Sequence, residues 1–459
     1  MKPSIEYKNE IINCSSELIK IPSYEGLAEE GHPFGKDVSR ALNYCLDLCD
    51  KLGFKTKNHD NYYGFAEIGE GEEMIGILVH LDVVPEGKDW SVDPYGGLVK
   101  DGRLYGRGAI DNKGPAISSI FAMKKLHDDM PNLNKRIRII FGTNEETGWA
   151  GIDKYISLEE HPTVSIVPDA DFPVIHGEKG IIDLTIKNTF TDFVPDQGIK
   201  VHSIKGGERS NMVPDFCRAI ISSNIEINHI LQAYNTEKNS DIKLIENEDG
   251  KLTLNSYGKS AHGSTPEEGV NSIGNLLGFL SLIDLQVGDL TNFIRHISHF
   301  IGTETDGESL GVKLKDQYGQ LTLNLGTIDL DNEKGNVKIN IRSPLTLSMD
   351  DVISKISDEF NHFGLEVETT STAKPKFIPE DDPLIETLMS VYKKHTGDDS
   401  KPFTIGGGTY ARAFDKAVAF GPLLPGTPEL AHQKDEYISV DDLTLIADIY
   451  YDALLELIK

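Results

Sequence analysis

The sequence is short of cysteine, of positive charge and of long apolar runs. Among 459 residues there are 4 cysteines, so we expect reduced thiols and a cytoplasmic protein rather than a disulfide framework. Lysine and arginine number 45 against 73 acidic residues, and the net charge of −28 argues against nucleic-acid or anionic-membrane partners. No apolar run approaches the ~20 residues of a membrane helix, and the first residues show no apolar signal core.

A glycine-rich turn at residues 102–114 also lacks the common phosphate-binding patterns. It does not fit G-x-x-x-x-G-K-[ST], and it does not have the glycine order of G-x-G-x-x-G. Such a turn still lets the backbone approach a ligand closely. Asp111 lies in it, just before an apolar helical stretch at 115–126, where an ordinary helix N-cap is the alternative interpretation.

What the sequence does contain is a series of metal-type side chains beside predicted strands. The apolar runs 75–79, 136–142 and 164–167 predict buried strands. The candidates are, in chain order, His80, Asp111, Glu145, Glu146, Asp169 and His432. Singly, each could be an ordinary surface residue. Together they mix imidazole with carboxylate, which suits Zn²⁺, Mn²⁺ or Co²⁺, and they could supply the ligands and the free base of a two-metal hydrolase.

Neighbouring residues predict how these side chains are held. Asp82 should share a strand face with His80, and its carboxylate should hold the other imidazole nitrogen. Glu145 and Glu146, on a β-like segment, should diverge, one towards a cation and one towards a water. The sequence TPEE at 265–268 predicts a capping box that starts a helix.

Taken together, these motifs resemble the M20 metallopeptidases. The resemblance rests on HLD at 80–82, GRGAIDNKG at 106–114, NEETG at 144–148, PD at 168–169 and the late His432. More narrowly, the stretches 89–94, 208–215 and 405–412 are similar to the PepV-type bacterial dipeptidases, also described as Xaa-His or carnosine-type dipeptidases. The resemblance covers essentially the whole chain and implies a two-metal-dependent dipeptidase acting on short peptides with a free carboxylate.

The resemblance also implies a metal-binding role for each candidate ligand. Asp111 would bridge two divalent metal ions, with Zn²⁺ expected and Mn²⁺ or Co²⁺ as alternatives. His80 and Asp169 would complete one site, and Glu146 and His432 the other. The peptide bond after Asp111 would be cis.

The remaining roles concern the reaction and the substrate. By resemblance, Glu145 is the general base for the metal-bridging water, and Asp82 supports the site. His262, in the segment 258–263, would stabilise the oxyanion. Arg342 and Asn211 would contact the substrate carboxylate, and Gly408 would offer its backbone N–H to the substrate.

The order of the ligands along the chain predicts its domain organisation. Residues 1–178 and 375–459 should form an α/β catalytic domain, with a mixed sheet flanked by helices, because His432 must meet the earlier ligands. Residues 179–374 should form an inserted α+β lid domain. By resemblance the lid has two lobes, one replacing a partner subunit, so we expect a monomer.

Two other functions remain open from the sequence. An N-acyl-amino-acid deacylase, or a desuccinylase-like amidohydrolase of the same family, would use the same metals and base. A metal-bound peptide-binding protein without chemistry is the other alternative, although it would not require the free carboxylate of Glu145.

Overall fold

A computed structural model describes residues 5–192, 198–247 and 250–459. Two short 3-10 helices lie at Pro266–Glu268 and Tyr410–Ala413. The α-helices of the described residues are α1 (Ile5–Ile19), α2 (Lys36–Lys51), α3 (Lys113–Asp129), α4 (Ala150–Leu158), α5 (Asn228–Lys238), α6 (Ser272–Leu282), α7 (Asp289–Phe300), α8 (Met349–His362), α9 (Pro383–Thr396) and α10 (Val440–Leu457). None of these helices combines the length and the apolarity that crossing a bilayer requires.

The longer strands form two main sheets, and short strands form three small sheets. They are β1 (Lys55–His59), β2 (Tyr63–Ile68), β3 (Met74–His80), β4 (Leu98–Lys100), β5 (Arg103–Tyr105), β6 (Arg136–Gly142), β7 (Val164–Val167), β8 (Ala170–Asp171), β9 (Ile175–Glu178), β10 (Gly180–Thr189), β11 (Lys200–Gly206), β12 (Phe216–Ser222), β13 (Asp241–Glu246), β14 (Leu252–Tyr257), β15 (Lys315–Asp316), β16 (Gly319–Gln320), β17 (Thr322–Leu330), β18 (Lys334–Ser343), β19 (Glu366–Ala373), β20 (Lys376–Phe377), β21 (Phe403–Ile405), β22 (Ala417–Ala419), β23 (Pro422–Leu423) and β24 (Tyr437–Ser439).

The chain divides into two compact units. The first unit comprises Met1–Gly177 and Phe377–Lys459, and the inserted unit comprises Glu178–Lys376. The boundaries expected from the sequence, 178/179 and 374/375, lie within two residues of these divisions.

The sheet of the first unit has parallel strands at its centre. Its order is β1-β2-β6-β3-β7-β22-β9-β20, with β21 paired to β9. Strand β3 runs parallel to both β6 and β7, and β7 runs parallel to β22. Because the carboxyl ends of parallel strands meet at one edge, the loops that follow β3, β6 and β7 lie beside one another there.

The central strands are apolar on both faces because both faces are covered. In β3, Ile77 and Val79 join a core that includes α3 and α10, whereas Leu78 joins a separate core with Tyr155 of α4 and Tyr410. This two-sided burial explains the continuous apolar run of the strand. The predicted α/β fold, a mixed sheet flanked by helices, is confirmed.

The sheet of the inserted unit is antiparallel, in the order β13-β14-β12-β11-β17-β18-β10-β19. In β18, Val337, Ile339 and Ile341 join the core formed with helices α5 to α8, so the alternate residues Asn340 and Arg342 belong to the opposite face. The halves of the sheet meet through three residue pairs of β11 and β17. The two expected lobes would correspond to these halves.

The helix start predicted at 265–268 is present, but the helix is a 3-10 helix of three residues and the predicted capping box is wrong. Pro266–Glu268 form only a 3-10 turn, and the Thr265 side chain makes no capping hydrogen bond. The chain then becomes extended, and Val270 pairs with Lys259 through backbone hydrogen bonds of 2.9 and 3.0 Å, which a continued helix would not allow. The following helix, α6, starts after Asn271, whose side chain accepts a hydrogen bond from the Gly274 N–H.

Candidate active site

The carboxyl ends of the parallel strands in the first unit carry the predicted metal ligands. His80 is the last residue of β3, Glu146 lies in the turn after β6, and Asp169 follows β7 by two residues. Asp111 immediately precedes Asn112, the N-cap of α3, and His432 comes from the loop between β23 and β24. The structure brings all five residues together.

Asp111 occupies the centre of this group. Its Oδ1 lies 2.8 Å from His80 Nε2, and its Oδ2 lies 3.0 Å from His432 Nε2. His80 Nε2 is also 3.5 Å from Asp169 Oδ1, and His432 Nε2 is 3.1 Å from Glu146 Oε1. One ligand atom each from His80, Asp111 and Glu146 fall within 4.8 Å of one another, a spacing that could hold a metal ion.

The hydrogen-bond geometry around His80 is compatible with a cation at this position. Its Nδ1 lies 2.9 Å from the carbonyl oxygen of Asp82, which can only accept a hydrogen bond. In the neutral ring Nε2 therefore carries a lone pair, directed at another acceptor. Asp111 Oδ1, at that position, is buried without a hydrogen-bond partner in the described residues. Two lone pairs facing each other are stabilised when a cation lies between them.

The electrostatics of the group also indicate a shortage of positive charge. Burial, together with the charge of Asp111, outweighs His80 and raises the pKa of Asp169 to about 6. Burial lowers the pKa of His432, but its hydrogen bonds to Asp111 and Glu146 outweigh that effect and raise it to about 11. The raised pKa values of the Asp169 carboxyl and the His432 imidazole both reflect excess negative charge, which divalent cations can neutralise.

Asp82 acts differently from its prediction. Strand β3 ends at His80, whose Nδ1 lies 2.9 Å from the backbone carbonyl oxygen of Asp82 and 3.6 Å from its carboxylate Oδ1, so the carbonyl is the hydrogen-bond partner and the carboxylate only a longer contact. The Asp82 carboxylate instead accepts a hydrogen bond of 3.0 Å from the Glu146 N–H. Asp82 thus contacts two predicted ligands, His80 through its backbone carbonyl and Glu146 through its carboxylate.

Glu145 and Glu146 lie in a turn, so the predicted β-like geometry is wrong. Strand β6 ends at Gly142, and the backbone N–H of Trp149 donates to Asn144, which closes the turn. Glu146 contacts His432, whereas the Glu145 side chain makes no hydrogen bond or ion pair with any described residue. Burial, reinforced by neighbouring carboxylates, raises the pKa of Glu145 well above its usual range.

Sequence reasoning missed the supporting role of Asn112. Its Nδ2 donates to the carbonyl of Pro168 and, at 3.0 Å, to Asp169 Oδ1. Its Oδ1 accepts from the His80 N–H at 3.4 Å. The cis peptide bond predicted between Asp111 and Asn112 is confirmed. The position of Asn112 directly after the central carboxylate was the available signal.

Tyr410 is a second residue that sequence reasoning missed. Its ring packs edge-on to His80 with centroids 6.3 Å apart, and its hydroxyl is buried without a hydrogen-bond partner in the described residues. Burial and the charges of Asp82 and Glu145 raise its pKa well above the usual range, so it stays a neutral phenol. Its place in the stretch 405–412, one of those that resemble the PepV-type dipeptidases, was the available signal.

Within the inserted unit, Asn211 and Arg342 line one cavity of about 550 Å³. Arg342 is 3% exposed, and its Nε donates to Asn340 Oδ1 at 2.9 Å. Asn340 Nδ2 in turn donates to Asp183 Oδ1 at 2.9 Å, and Ser210 Oγ donates to the same oxygen at 2.8 Å. A chain of hydrogen bonds therefore orients the guanidinium on the polar face of the sheet.

His262 lies beside Asn211 in the inserted unit. The Gly263 N–H donates to the Asn211 carbonyl at 2.7 Å, and Met212 and His262 form a β-bridge. Nδ1 of His262 lies 2.6 Å from Ser264 Oγ and 3.2 Å from the Ser264 backbone nitrogen, whose N–H favours the tautomer with the ring proton on Nε2. In that form the ring can donate a hydrogen bond to an oxyanion.

Gly408 belongs to the first unit, in the loop between β21 and the 3-10 helix at Tyr410–Ala413. A Cβ at this position would approach Arg412 Nε to 2.7 Å. The backbone here is thus closely packed, and the expected role of its N–H towards a substrate stays a prediction.

With this geometry in place, comparison with known proteins identifies the family. The model of Peptidase family M20/M25/M40 matches residues 76–456. The chain belongs to this family. The match includes every predicted site residue, so the predicted M20 membership and peptide-hydrolase class are confirmed.

Curated relatives of this M20-family chain match it over nearly its full length. A protein of Bacillus subtilis (strain 168), named "Putative dipeptidase YtjP", is 39% identical over 99% of this chain and 98% of its own length. A protein of Staphylococcus haemolyticus (strain JCSC1435) with the same kind of name is 36% identical over 98% of each chain.

Solved structures of low sequence identity share the fold of this M20-family chain. Aminoacylhistidine dipeptidase from Vibrio alginolyticus matches with a TM-score of 0.62 at 16% identity, covering 100% of this chain and 98% of that one. Human carnosine dipeptidase 1 matches with a TM-score of 0.59 at 16% identity, covering 99% and 97%. At this identity the likeness concerns the architecture.

Proposed function

We propose that this protein is a dipeptidase that uses two divalent metal ions, Zn²⁺ or alternatively Mn²⁺ or Co²⁺. The central observation is the position of Asp111. Its two carboxylate oxygens contact different imidazoles, Oδ1 that of His80 and Oδ2 that of His432. Each imidazole also contacts a second carboxylate, which belongs to Asp169 for His80 and to Glu146 for His432. A carboxylate flanked by two separate imidazole–carboxylate pairs is suited to bridging two cations.

In this proposal the metal ions and Glu145 have separate roles in peptide hydrolysis. When bound, two metal ions would lower the pKa of a water molecule and polarise the peptide carbonyl. Glu145, which makes no hydrogen bond of its own in the described residues, accepts the proton of the attacking water. Glu145 then transfers that proton to the leaving amine.

The inserted unit supplies the substrate contacts in this proposal. His262 donates from Nε2 to the developing oxyanion. Arg342, held by Asn340, binds the free carboxylate together with Asn211, because a guanidinium matches a carboxylate with two parallel hydrogen bonds. The names of the two curated relatives support dipeptides as substrates.

Several further features belong to the same proposal. The four cysteines are free thiols, which supports a cytoplasmic location, and the net charge of −28 fits a protein without nucleic-acid or membrane partners. The inserted unit acts as a lid with two lobes, so the active species is a monomer. Gly408 contributes its backbone N–H to the substrate.

Removal and replacement of metal tests this function. The protein is exhaustively chelated, metal absence is verified by elemental analysis, and activity is measured before and after adding Zn²⁺, Mn²⁺ or Co²⁺. We expect no hydrolysis of dipeptides without metal, and recovery with two bound ions per chain. Full activity without metal would contradict the proposal.

A substrate panel separates the proposed activity from the alternatives. Dipeptides, the corresponding tripeptides and N-acetyl amino acids are compared by kcat/KM on the reconstituted protein. Dipeptides are expected to be the best substrates, because the proposed carboxylate contacts of Arg342 and Asn211 fix one substrate length. Each added residue lengthens the substrate by up to ~3.3–3.6 Å. Preference for N-acetyl amino acids would indicate a deacylase, and metal-supported peptide binding without turnover would indicate a binding protein.

A further inference from the structure

A buried ion pair lies behind the candidate metal ligands. Arg107 Nη1 is 2.8 Å from Glu436 Oε2, and the two side chains are 2% and 0% exposed. Burying such a pair costs solvation free energy, which its other hydrogen bonds must offset. Those bonds connect the two loops that carry Asp111 and His432.

Glu436 binds the turn that carries Asp111. Its carboxylate accepts hydrogen bonds from the N–H groups of Gly108, Ile110 and Asp111, at 3.1, 2.8 and 3.3 Å. Its backbone carbonyl accepts from Gly106 N–H at 2.9 Å. One residue therefore fixes the backbone from Gly106 to Asp111.

Arg107 binds the loop that carries His432. Its Nη1 donates to the carbonyl of Gln433, the residue after His432, at 3.1 Å. Its Nη2 donates to the carbonyl of Glu86 at 3.2 Å, and its guanidinium lies 5.1 Å from the ring of Trp90. The cation is therefore held in one orientation from several sides.

We propose that Arg107 and Glu436 are positioning residues that set the separation of Asp111 and His432 before any metal binds. This inference rests on the proposed metal site. Asp111 depends on Glu436 through its own N–H, and His432 depends on Arg107 through the next carbonyl along the chain. The ion pair joins the two loops, so loss of either member lets one ligand move relative to the other.

Metal affinity tests the inference with a matched control. Glu436→Gln removes the charge and one acceptor while keeping the side-chain size. The control, Glu67→Gln, alters another Arg–Glu pair of the same unit, in which Glu67 Oε2 is 2.6 Å from Arg138 Nη2. Metal dissociation constants are measured by competition with a chelating indicator, and thermal unfolding is measured on the metal-free proteins.

Both variants should be less stable than the unchanged protein, but only one of them should bind metal more weakly. Both should unfold at lower temperature than the unchanged protein. Only Glu436→Gln should also bind metal about 10–100-fold more weakly, the usual effect of losing a residue that supports a ligand. Equal affinities of the two variants would overturn the inference. Absence of metal binding by the unchanged protein would instead overturn the proposed function.

Hydrogen exchange on the unchanged, metal-free protein tests the same inference without a variant. The N–H groups of Gly108, Ile110 and Asp111 should be protected from exchange before metal is added, because Glu436 already binds them. Protection that appears only after metal addition would overturn the inference, even if Glu436→Gln did not fold.

Arg107→Lys, which keeps the charge but loses the planar fork, should weaken metal binding less than Glu436→Gln.

Discussion

The two units place their candidate functional residues in different ways. In the first unit, the central parallel strands are buried on both faces, and the metal-type side chains lie at the end of β3, in the turns after β6 and β7, and in two further loops. In the inserted unit, the antiparallel sheet has one apolar and one polar face, and Arg342 lies within a strand. Loops and turns orient most of the metal-type side chains, whereas strand register orients Arg342.

This difference predicts how each group fails when altered. A loop residue depends on side-chain hydrogen bonds to backbone, such as those of Asn112 and Glu436, which fix ligands one by one. The side chain of a strand residue points to one face of the sheet because side chains alternate along the strand, and hydrogen bonds to neighbours only adjust its orientation. Substitutions in the first unit should therefore affect metal binding or the chemical step, and those on the polar face should affect substrate recognition.

The largest expected effect is that of Glu145→Gln. Loss of the base should lower kcat by about 10²–10⁴-fold, while metal content stays unchanged because Glu145 is not a proposed ligand. Asp111→Ala should instead lose metal, as measured by elemental analysis. The exposed Glu160→Gln serves as the acidic control. Near-normal turnover of Glu145→Gln would show that another group is the base.

Arg342→Ala should have the next largest effect. Removing one partner of a buried charge pair commonly costs about 2–5 kcal/mol, so kcat/KM for a dipeptide should fall by roughly 10²-fold. The dipeptide amide, which lacks the charge, should lose far less, and metal content should not change. Arg218→Ala, on β12 of the same sheet, is the control. If the unchanged protein hydrolyses acid and amide equally well, the carboxylate clamp is wrong.

Asp183→Asn should have a smaller effect in the same direction. Asp183 holds Asn340, which in turn holds Arg342. Losing one hydrogen bond to a charged group should raise KM for dipeptides by about 10-fold, with little change in kcat. Asp329→Asn, an exposed position on β17, is the control. An equal rise in KM for the amide would mean that Asp183 acts on the fold rather than on Arg342.

The smallest effects on function should come from the two cores. Ile139→Val in β6 and Ile339→Val in β18 each remove one buried methylene and should each cost about 0.5–1.5 kcal/mol of unfolding free energy. Both residues are fully buried, in separate cores. Denaturant unfolding should show the loss while kcat and KM stay unchanged. A change in kcat for Ile139→Val alone would mean that the strand ends are sensitive to packing beneath them.

Much of the architecture was predictable because local patterns agreed with the tertiary structure. The apolar runs located β6 and β7 with the observed bounds, and the ligand order along the chain implied the insertion. Prediction was wrong where hydrogen bonds that the local pattern did not reveal decided the conformation. The TPEE segment formed only a three-residue 3-10 helix, because Val270 pairs with Lys259. The Glu145–Glu146 segment lies in a turn closed by the hydrogen bond from the Trp149 N–H to the Asn144 carbonyl.

The sequence by itself determined the residue types, their order and therefore the chemistry available, since imidazole and carboxylate side chains keep their properties in any fold. Only the tertiary structure decided which part of Asp82 meets His80, that Asn112 holds Asp169, and that Glu436 binds the turn before Asp111. The physical reason is that hydrogen bonds depend on direction and on distances of a few tenths of an ångström. Those quantities arise when residues far apart in sequence are packed against one another.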